Sequence, residues 1–183
     1  MSNKLRIIGG EWRSRVIAFD DAPGLRPTPA RVRETLFNWL QADIAGSRCL
    51  DLFAGSGALG FEAASRGAKQ VLQVENNAKT CQKLRENAVA LQASQIDVVQ
   101  ADVQAFLQGR SDAYDLIFLD PPFGQGLMQP ICRCIAQAGL LAPFGKIYLE
   151  TERKLLLDDL PDDWRLLKHK SAGEVSYNLY QRQ

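Results

Sequence analysis

Asp120, Pro121, Pro122 and Phe123 stand together where an apolar run, Leu116 to Leu119, ends in the stretch YDLIFLDPPFGQG. Consecutive prolines fix the backbone and remove two N–H donors, so the chain there presents only acceptors. Asp120 adds carboxylate oxygens, Pro121 its carbonyl, and Phe123 a flat apolar face on which a ring can stack. A planar NH₂ group, which must donate two hydrogen bonds, suits such a platform. An exocyclic amine on a nucleobase joins that group to a ring. Its nitrogen is a poor nucleophile, because the lone pair is delocalised into the ring. Accepting both of its protons favours a more tetrahedral nitrogen and stabilises the positive charge that grows as nitrogen attacks a methyl donor. The competing reading is an ordinary strand-ending turn, since Asp-Pro is common in turns.

Gly55, Gly57 and Gly60, in LDLFAGSGALGFEAA, have G-x-G-x-x-G spacing between an apolar run and a helical pattern. Such glycines let the backbone turn sharply, approach a ligand and pack a helix closely on a strand. Two cofactor classes use this turn, and Asp51 discriminates between them. A carboxylate just before the loop repels a pyrophosphate seated at the helix N-terminus and suits a ligand that carries positive charge. S-adenosylmethionine (SAM) has a sulfonium and an ammonium, and no phosphate. Glu75, twenty residues beyond Gly55, is placed to accept hydrogen bonds from two ribose hydroxyls, which both cofactor classes have. Asp102 suits an adenine amine, or equally the capping of the short helix that follows it, and Asp51 could cap a neighbouring backbone. NAD or another nucleotide, and a loop that binds nothing, stand as the alternatives to SAM.

These residues need a scaffold, and the hydrophobic pattern supplies one. After Leu50 the chain alternates: RCLDLF, KQVLQVEN, IDVVQAD, YDLIFLD and GKIYLETE read as strands. The stretches between them, ALGFEAASRG, NAKTCQKLRENAVALQ, VQAFLQ and LMQPICRCIAQAG, have helical spacing. That rhythm argues an α/β fold, a mostly parallel sheet with helices on both faces. The last stretch, WRLLKHKSAGEVSYNLYQRQ, has no helix between its apolar segments and predicts an antiparallel hairpin turning at Ala172-Gly173. Ahead of the sheet, LRIIGGEWRSRVIAF reads as a small β-hairpin with Gly9-Gly10 near its turn. A helix follows, with Thr28 as N-cap, Pro29 at its first position, and an apolar face of Val32, Leu36, Phe37, Trp39 and Leu40. The division expected is one methyltransferase-type domain over 1–183, with 1–45 a basic appendage and 46–183 the catalytic core.

A chain of 183 residues with 46% apolar and 23% charged residues is ordinary for one soluble globular domain. Net charge is only +1, but residues 1–33 carry seven basic against three acidic side chains. Arg6, Arg13, Arg15, Arg26 and Arg31 of that arm are candidate phosphate contacts; the plainer reading is a solvated surface. Cys49, Cys81, Cys132 and Cys134 show no zinc or redox spacing, so no metal is expected and the four read as buried or half-buried. The N-terminus lacks a signal-peptide apolar region and no run approaches transmembrane length, which points to a cytoplasmic protein without membrane contact.

The combination resembles the class I SAM-dependent amino-methyltransferases, whose fourth-strand motif is [Asn/Asp/Ser]-Pro-Pro-[Tyr/Phe/Trp]. Within that group RIIGGEWRSR, GLRPTPARVRETLFNWL, LDLFAGSGALGFEAASRGA, DLIFLDPPF and AGEVSYNLY are similar to the bacterial RsmD-type family. The RPT…RVRE segment is its most specific piece. The resemblance implies a Rossmann-like, seven-stranded, mostly parallel sheet with an antiparallel last strand, and methylation of a guanine N2 amine in 16S ribosomal RNA. Carried over by position, it implies that Asp51, Phe53, Gly55, Gly57, Glu75, Asn76, Asp102 and Val103 hold SAM. Asp120, Pro121 and Phe123 would hold the target base, with Pro122 beside the RNA. The implied partner is 16S rRNA within an assembling or assembled small subunit, and the implied state a monomer. DNA adenine and protein glutamine methyltransferases share the motif, often with Asn where this chain has Asp120. DNA adenine-N6 methylation, a nicotinamide-dependent oxidoreductase and a non-catalytic RNA-binding assembly factor are the rival functions.

Other chemistry-bearing residues read as background. His169, between two lysines on a late strand, predicts a surface position. Trp12, Trp39 and Trp164 predict packing, with Trp12, among Arg6, Arg13 and Arg15, the best candidate for base stacking. Asp158, Asp159, Asp162 and Asp163 predict a solvated helix end and loop.

Overall fold

The computed structural model describes residues 2–183. Strands β1 (Ser2–Arg6) and β2 (Val16–Asp20) pair antiparallel, and helix α1 (Ala30–Trp39) follows. Strands and helices then alternate: β3 (Arg48–Asp51), α2 (Ala58–Ser65), β4 (Gln70–Glu75), α3 (Ala78–Ala90), β5 (Ile96–Gln100), α4 (Val103–Leu107), β6 (Tyr114–Leu119), α5 (Met128–Gln137) and β7 (Leu141–Glu152). The closing hairpin is β8 (Trp164–Ala172) and β9 (Val175–Arg182). Seven strands form one sheet in the order β5-β4-β3-β6-β7-β9-β8. The pairs from β5 to β7 are parallel, and β9 runs antiparallel between β7 and β8. The mostly parallel sheet expected from the alternation is therefore present, as is the Rossmann-like seven-stranded order with a reversed last strand that the resemblance implied.

Both faces of the sheet are covered, which is why its strands are near-continuous apolar runs. Cys49, Val71, Leu116, Phe118 and Tyr148 face one core with α1, α2 and α3; Leu50, Leu72, Ile117, Leu119, Ile147 and Leu149 face the other, with α4 and α5. Val32, Leu36 and Phe37 of α1, with Leu40 just past its end, are buried in the first of these cores, so the N-terminal segment shares its interior with the sheet. Trp39 is half-buried.

Several expectations need correcting. Helix α1 begins one residue late: Pro29, not Thr28, is its N-cap, and no side chain caps it. Thr28 is buried, and its carbonyl accepts from Arg33 Nε at 3.0 Å. Trp12 is packing and not a stacking platform, being only 5% exposed, with its amide bonded to Ser65 Oγ. Cys49, Cys81 and Cys132 are buried, but Cys134 is exposed. Strand β7 starts at Leu141, ahead of the expected Gly145, and its pairing with β6 shifts register between Tyr114 and Leu116. Pro143 and Phe144, the latter at φ 61°, sit in that irregularity, and a bulge is where a strand tolerates a proline.

Arg33, counted with the basic arm, is buried at 4% exposure. It lies in a network centred on Glu62 of α2, which is 0% exposed. Glu62 accepts from the amides of Ile8 (3.0 Å) and Gly9 (2.9 Å), from Arg33 (3.4 Å) and from Arg66 (2.9 Å). Arg33 also donates to the Arg6 carbonyl at 3.0 Å. The hairpin, α1 and α2 are thus fastened at one buried carboxylate.

Candidate active site

In an open α/β sheet, ligands bind beyond the carboxyl ends of the strands, where the strand order reverses. Here the reversal lies between β3 and β6, and a cleft of about 920 Å³ opens there. Asp51 ends β3 and Glu75 ends β4; Asp102 and Asp120 lie just beyond β5 and β6, and all four line the cleft. Phe53, Gly55, Asn76, Val103, Pro121, Pro122, Phe123 and Arg26 line it too. The structure therefore brings the glycine loop and the Asp-Pro-Pro-Phe stretch to one site.

Gly57 is the exception. It caps α2 at φ 81°, a left-handed conformation that favours glycine, and an added Cβ would lie 2.6 Å from Phe61 and Leu84. It shapes the loop from behind and does not line the cleft. Gly60 allows close helix–strand packing, because a Cβ there would meet Gln73 Nε2 at 2.3 Å.

The basic arm divides. Arg26 lines the cleft, and Arg31 borders a small neighbouring cavity with Thr35, Trp39, Lys170 and Tyr177. Arg6, Arg13 and Arg15 are exposed but line neither space. Arg15 bonds the Ala90 carbonyl at the last residue of α3, whereas the first turn of that helix, through Asn77 and Thr80, lines the cleft. A helix of that length separates the two by roughly 20 Å. His169 is exposed, with Nδ1 2.7 Å from Asn178 Oδ1.

The carboxylates differ in how they are held. Glu75 accepts from the Gly55 amide (3.0 Å) and the Asn77 amide (2.9 Å), pinning the glycine loop to the end of β4. An ionised carboxylate has about four acceptor sites, so this leaves capacity for hydroxyls. Asp102 caps α4 through the Ala105 amide at 3.0 Å, as the capping reading expected, and it also lines the cleft. Asp51 is 3% exposed, and its Oδ2 has no hydrogen-bond partner among the described residues. Burial lifts its pKa from 3.8 to about 7, the Gly60 amide opposing and Glu75 adding to the rise. An orphaned buried acid beside two more carboxylates fits a ligand that brings positive charge and hydroxyl donors, and repels a pyrophosphate.

That shift has a stability consequence. The native carboxyl keeps its proton between about pH 4 and 7, where the unfolded one has lost it, so the empty protein loses stability as pH rises through that window. The full penalty is about 4 kcal/mol. Asp51→Asn removes it: the variant unfolds at higher urea than the native chain at pH 8, the gap closes near pH 4, and SAM affinity falls roughly 10–100-fold. Urea titrations at both pH values, with calorimetry for SAM, check this.

Sequence reasoning missed another acid of the cleft. Glu150 of β7 is 8% exposed and lines the cleft with Tyr177. The register Leu119↔Leu149 sets it close to Asp120, just past the end of neighbouring β6. Tyr148 donates its hydroxyl to Glu150 Oε2 at 3.1 Å. Burial, then Glu150, then Asp51 push the Asp120 carboxyl well above the usual carboxylate range; burial raises Glu150 as well. Glu152 accepts from the Gly124 amide and so fixes the loop after Phe123, which is 43% exposed at the cleft mouth. The segment 22–29 also lines the cleft, with Leu25 facing Gly55.

The family model described as "Conserved hypothetical protein 95" matches residues 5–181. "Ribosomal RNA small subunit methyltransferase D" of Escherichia coli (strain K12) is 44% identical over 182 residues, spanning 100% of this chain and 92% of that protein. The protein of the same name from Haemophilus influenzae is 43% identical, spanning 97% and 94%. A solved chain from Escherichia coli has TM-score 0.90 at 42% identity, covering 99% of each chain. Matched along its whole length, the chain belongs to the family described as Conserved hypothetical protein 95, among the ribosomal RNA small subunit methyltransferases D.

Proposed function

We propose that this protein transfers a methyl group from SAM to the exocyclic N2 amine of one guanine in the 16S ribosomal RNA of the small subunit. The observation that carries the reading is that Asp120, Pro121 and Phe123 share one cleft with the glycine loop and its flanking acids. The names of the full-length relatives supply the RNA. Asp51, Phe53, Gly55, Glu75, Asn76, Asp102 and Val103 hold SAM, with Glu75 at the ribose and the acids balancing the cofactor's charge. Gly57 contributes only by shaping the loop.

When bound, SAM supplies an electrophilic methyl group on a positively charged sulfur. The chain's own residues do the rest. Phe123 stacks the base, the acceptor-only backbone at Pro121 orients the amine, and Asp120 accepts its hydrogens. Asp120 is worth most when the nitrogen becomes cationic, and its raised pKa suits it to take the proton the amine must shed. The base reaches the cleft splayed out of its helix or loop. Arg26 and Arg31, at the cleft and beside it, meet the flanking phosphates. The protein acts as a cytoplasmic monomer on an assembling or assembled subunit; no helix among the described residues is long and apolar enough to cross a membrane.

The test is transfer of labelled methyl, side by side, to naked small-subunit rRNA, to small-subunit particles and to duplex DNA, with SAM and NAD binding measured by calorimetry. Labelling of RNA or particle with SAM binding is the expected result. Labelling of DNA alone, or binding of NAD and not SAM, overturns the proposal.

A further inference from the structure

Asp120 accounts for the amine but leaves the rest of the base's edge unread. Beside its 2-amino group guanine carries an N1–H donor; adenine, beside its 6-amino group, and 2-aminopurine, beside its 2-amino group, carry N1 as a bare acceptor. A platform that only accepts hydrogens from an amine cannot tell these purines apart. Whatever sits next to Asp120 must.

That neighbour is Glu150. The parallel pairing of β6 with β7 ends at Leu119↔Leu149, on strands about 4.8 Å apart, so the next residues, Asp120 just past β6 and Glu150 in β7, lie close together, and both line the cleft. Glu150 Oε2 takes the Tyr148 hydroxyl at 3.1 Å, while Oε1 has no hydrogen bond among the described residues. No Lys or Arg among those residues forms an ion pair with it. The residue is 8% exposed, with Oε1 open to the cleft rather than sealed in the interior, so it is free to accept from a ligand. The donor it lacks matches the one guanine presents next to its amine.

We propose that Glu150 accepts the N1–H of the target guanine, so that Asp120 and Glu150 together read two adjacent donors and exclude purines whose N1 is an acceptor. The inference rests on the reading of this cleft as a methyl-transfer site for a base amine. In a desolvated site an N1 acceptor placed against a carboxylate loses a hydrogen bond and gains repulsion, a mismatch that discriminates far more than a missing methyl group would.

The experiment uses small-subunit rRNA carrying either guanine or 2-aminopurine at the modified position, mapped beforehand on natural RNA. Both bases present the 2-amino group. The wild-type protein is expected to prefer guanine by about 100-fold or more in kcat/KM. Glu150→Gln offers an amide N–H to an acceptor N1, so its guanine-to-2-aminopurine ratio should collapse by at least about tenfold, with SAM affinity retained. If Glu150 served packing alone, E150Q would slow both substrates alike and leave the ratio unchanged, which overturns the proposal. Equal use of both RNAs by the wild type overturns it too, whether or not the variant folds. If the wild type methylates neither RNA, the underlying methyl-transfer reading falls and this inference with it.

Discussion

Replacing Asp120 with alanine lowers the rate of methyl transfer by roughly 10²–10³-fold while SAM affinity stays within a few-fold of the wild type. The asymmetry follows from position. Asp120 lies beyond β6, on the side of the cleft away from Glu75 and Asp102, so its loss removes the acceptor for the amine and leaves the cofactor side intact. A single-turnover rate with RNA in excess, next to calorimetry with SAM, separates the two effects. Asp120→Asn should fall less, because an amide oxygen still accepts one hydrogen. The same carboxyl sets the acid limb of the kcat/KM profile. Only its ionised form accepts both hydrogens, and burial with Glu150 holds its pKa well above the usual carboxylate range. Activity is therefore lost on acidification at a pH higher than an ordinary aspartate would give, and in E150Q that limb moves to lower pH. Full activity of Asp120→Ala would remove the basis of the mechanism.

Glu62→Ala is the most damaging change expected outside the cleft, costing about 3–5 kcal/mol. Arg33 is 4% exposed and Glu62 is 0% exposed, so alanine strands a buried guanidinium and leaves the Ile8 and Gly9 amides without their acceptor. Glu62→Gln keeps one acceptor oxygen and should cost less. The damage reaches the cleft, because Arg33 also holds the Thr28 carbonyl, and residues 22–29 form part of the cleft wall. Urea unfolding with and without SAM measures both consequences. A loss below about 1 kcal/mol for Glu62→Ala would mean that the network does not fasten the N-terminal segment.

What was legible in the sequence depends on whether the cause is local. The alternation of strand and helix patterns, the G-x-G-x-x-G turn and the double proline after β6 are short-range signals, and each lies where its pattern placed it. Glu150 was illegible, because IYLETE shows only an acid inside an apolar strand. Its neighbour Asp120 is supplied by a pairing register with residues far away in the chain. Arg33 and Glu62 mislead in the same way: a count of charges along the arm includes Arg33, and only the packing of α1 on α2 shows that the pair is buried. Arg13 and Arg15 belong to the basic arm by composition, yet the hairpin docks by Glu11 and Trp12 on Ser65 at the end of α2, and so carries them away from the cleft. Thr28 gave the ordinary capping signal, but its carbonyl is held by Arg33 and its side chain is buried, so the helix starts at Ala30.

The central claim, methyl transfer to a guanine amine, is tested most directly by nucleoside mass spectrometry of small-subunit rRNA incubated with the protein and SAM, with Asp120→Ala as the control. The account predicts N2-methylguanosine as the product, formed roughly 10²–10³-fold more slowly with Asp120→Ala. A methyl group on adenosine, or no methylated nucleoside in RNA or particle while SAM binds, would contradict it.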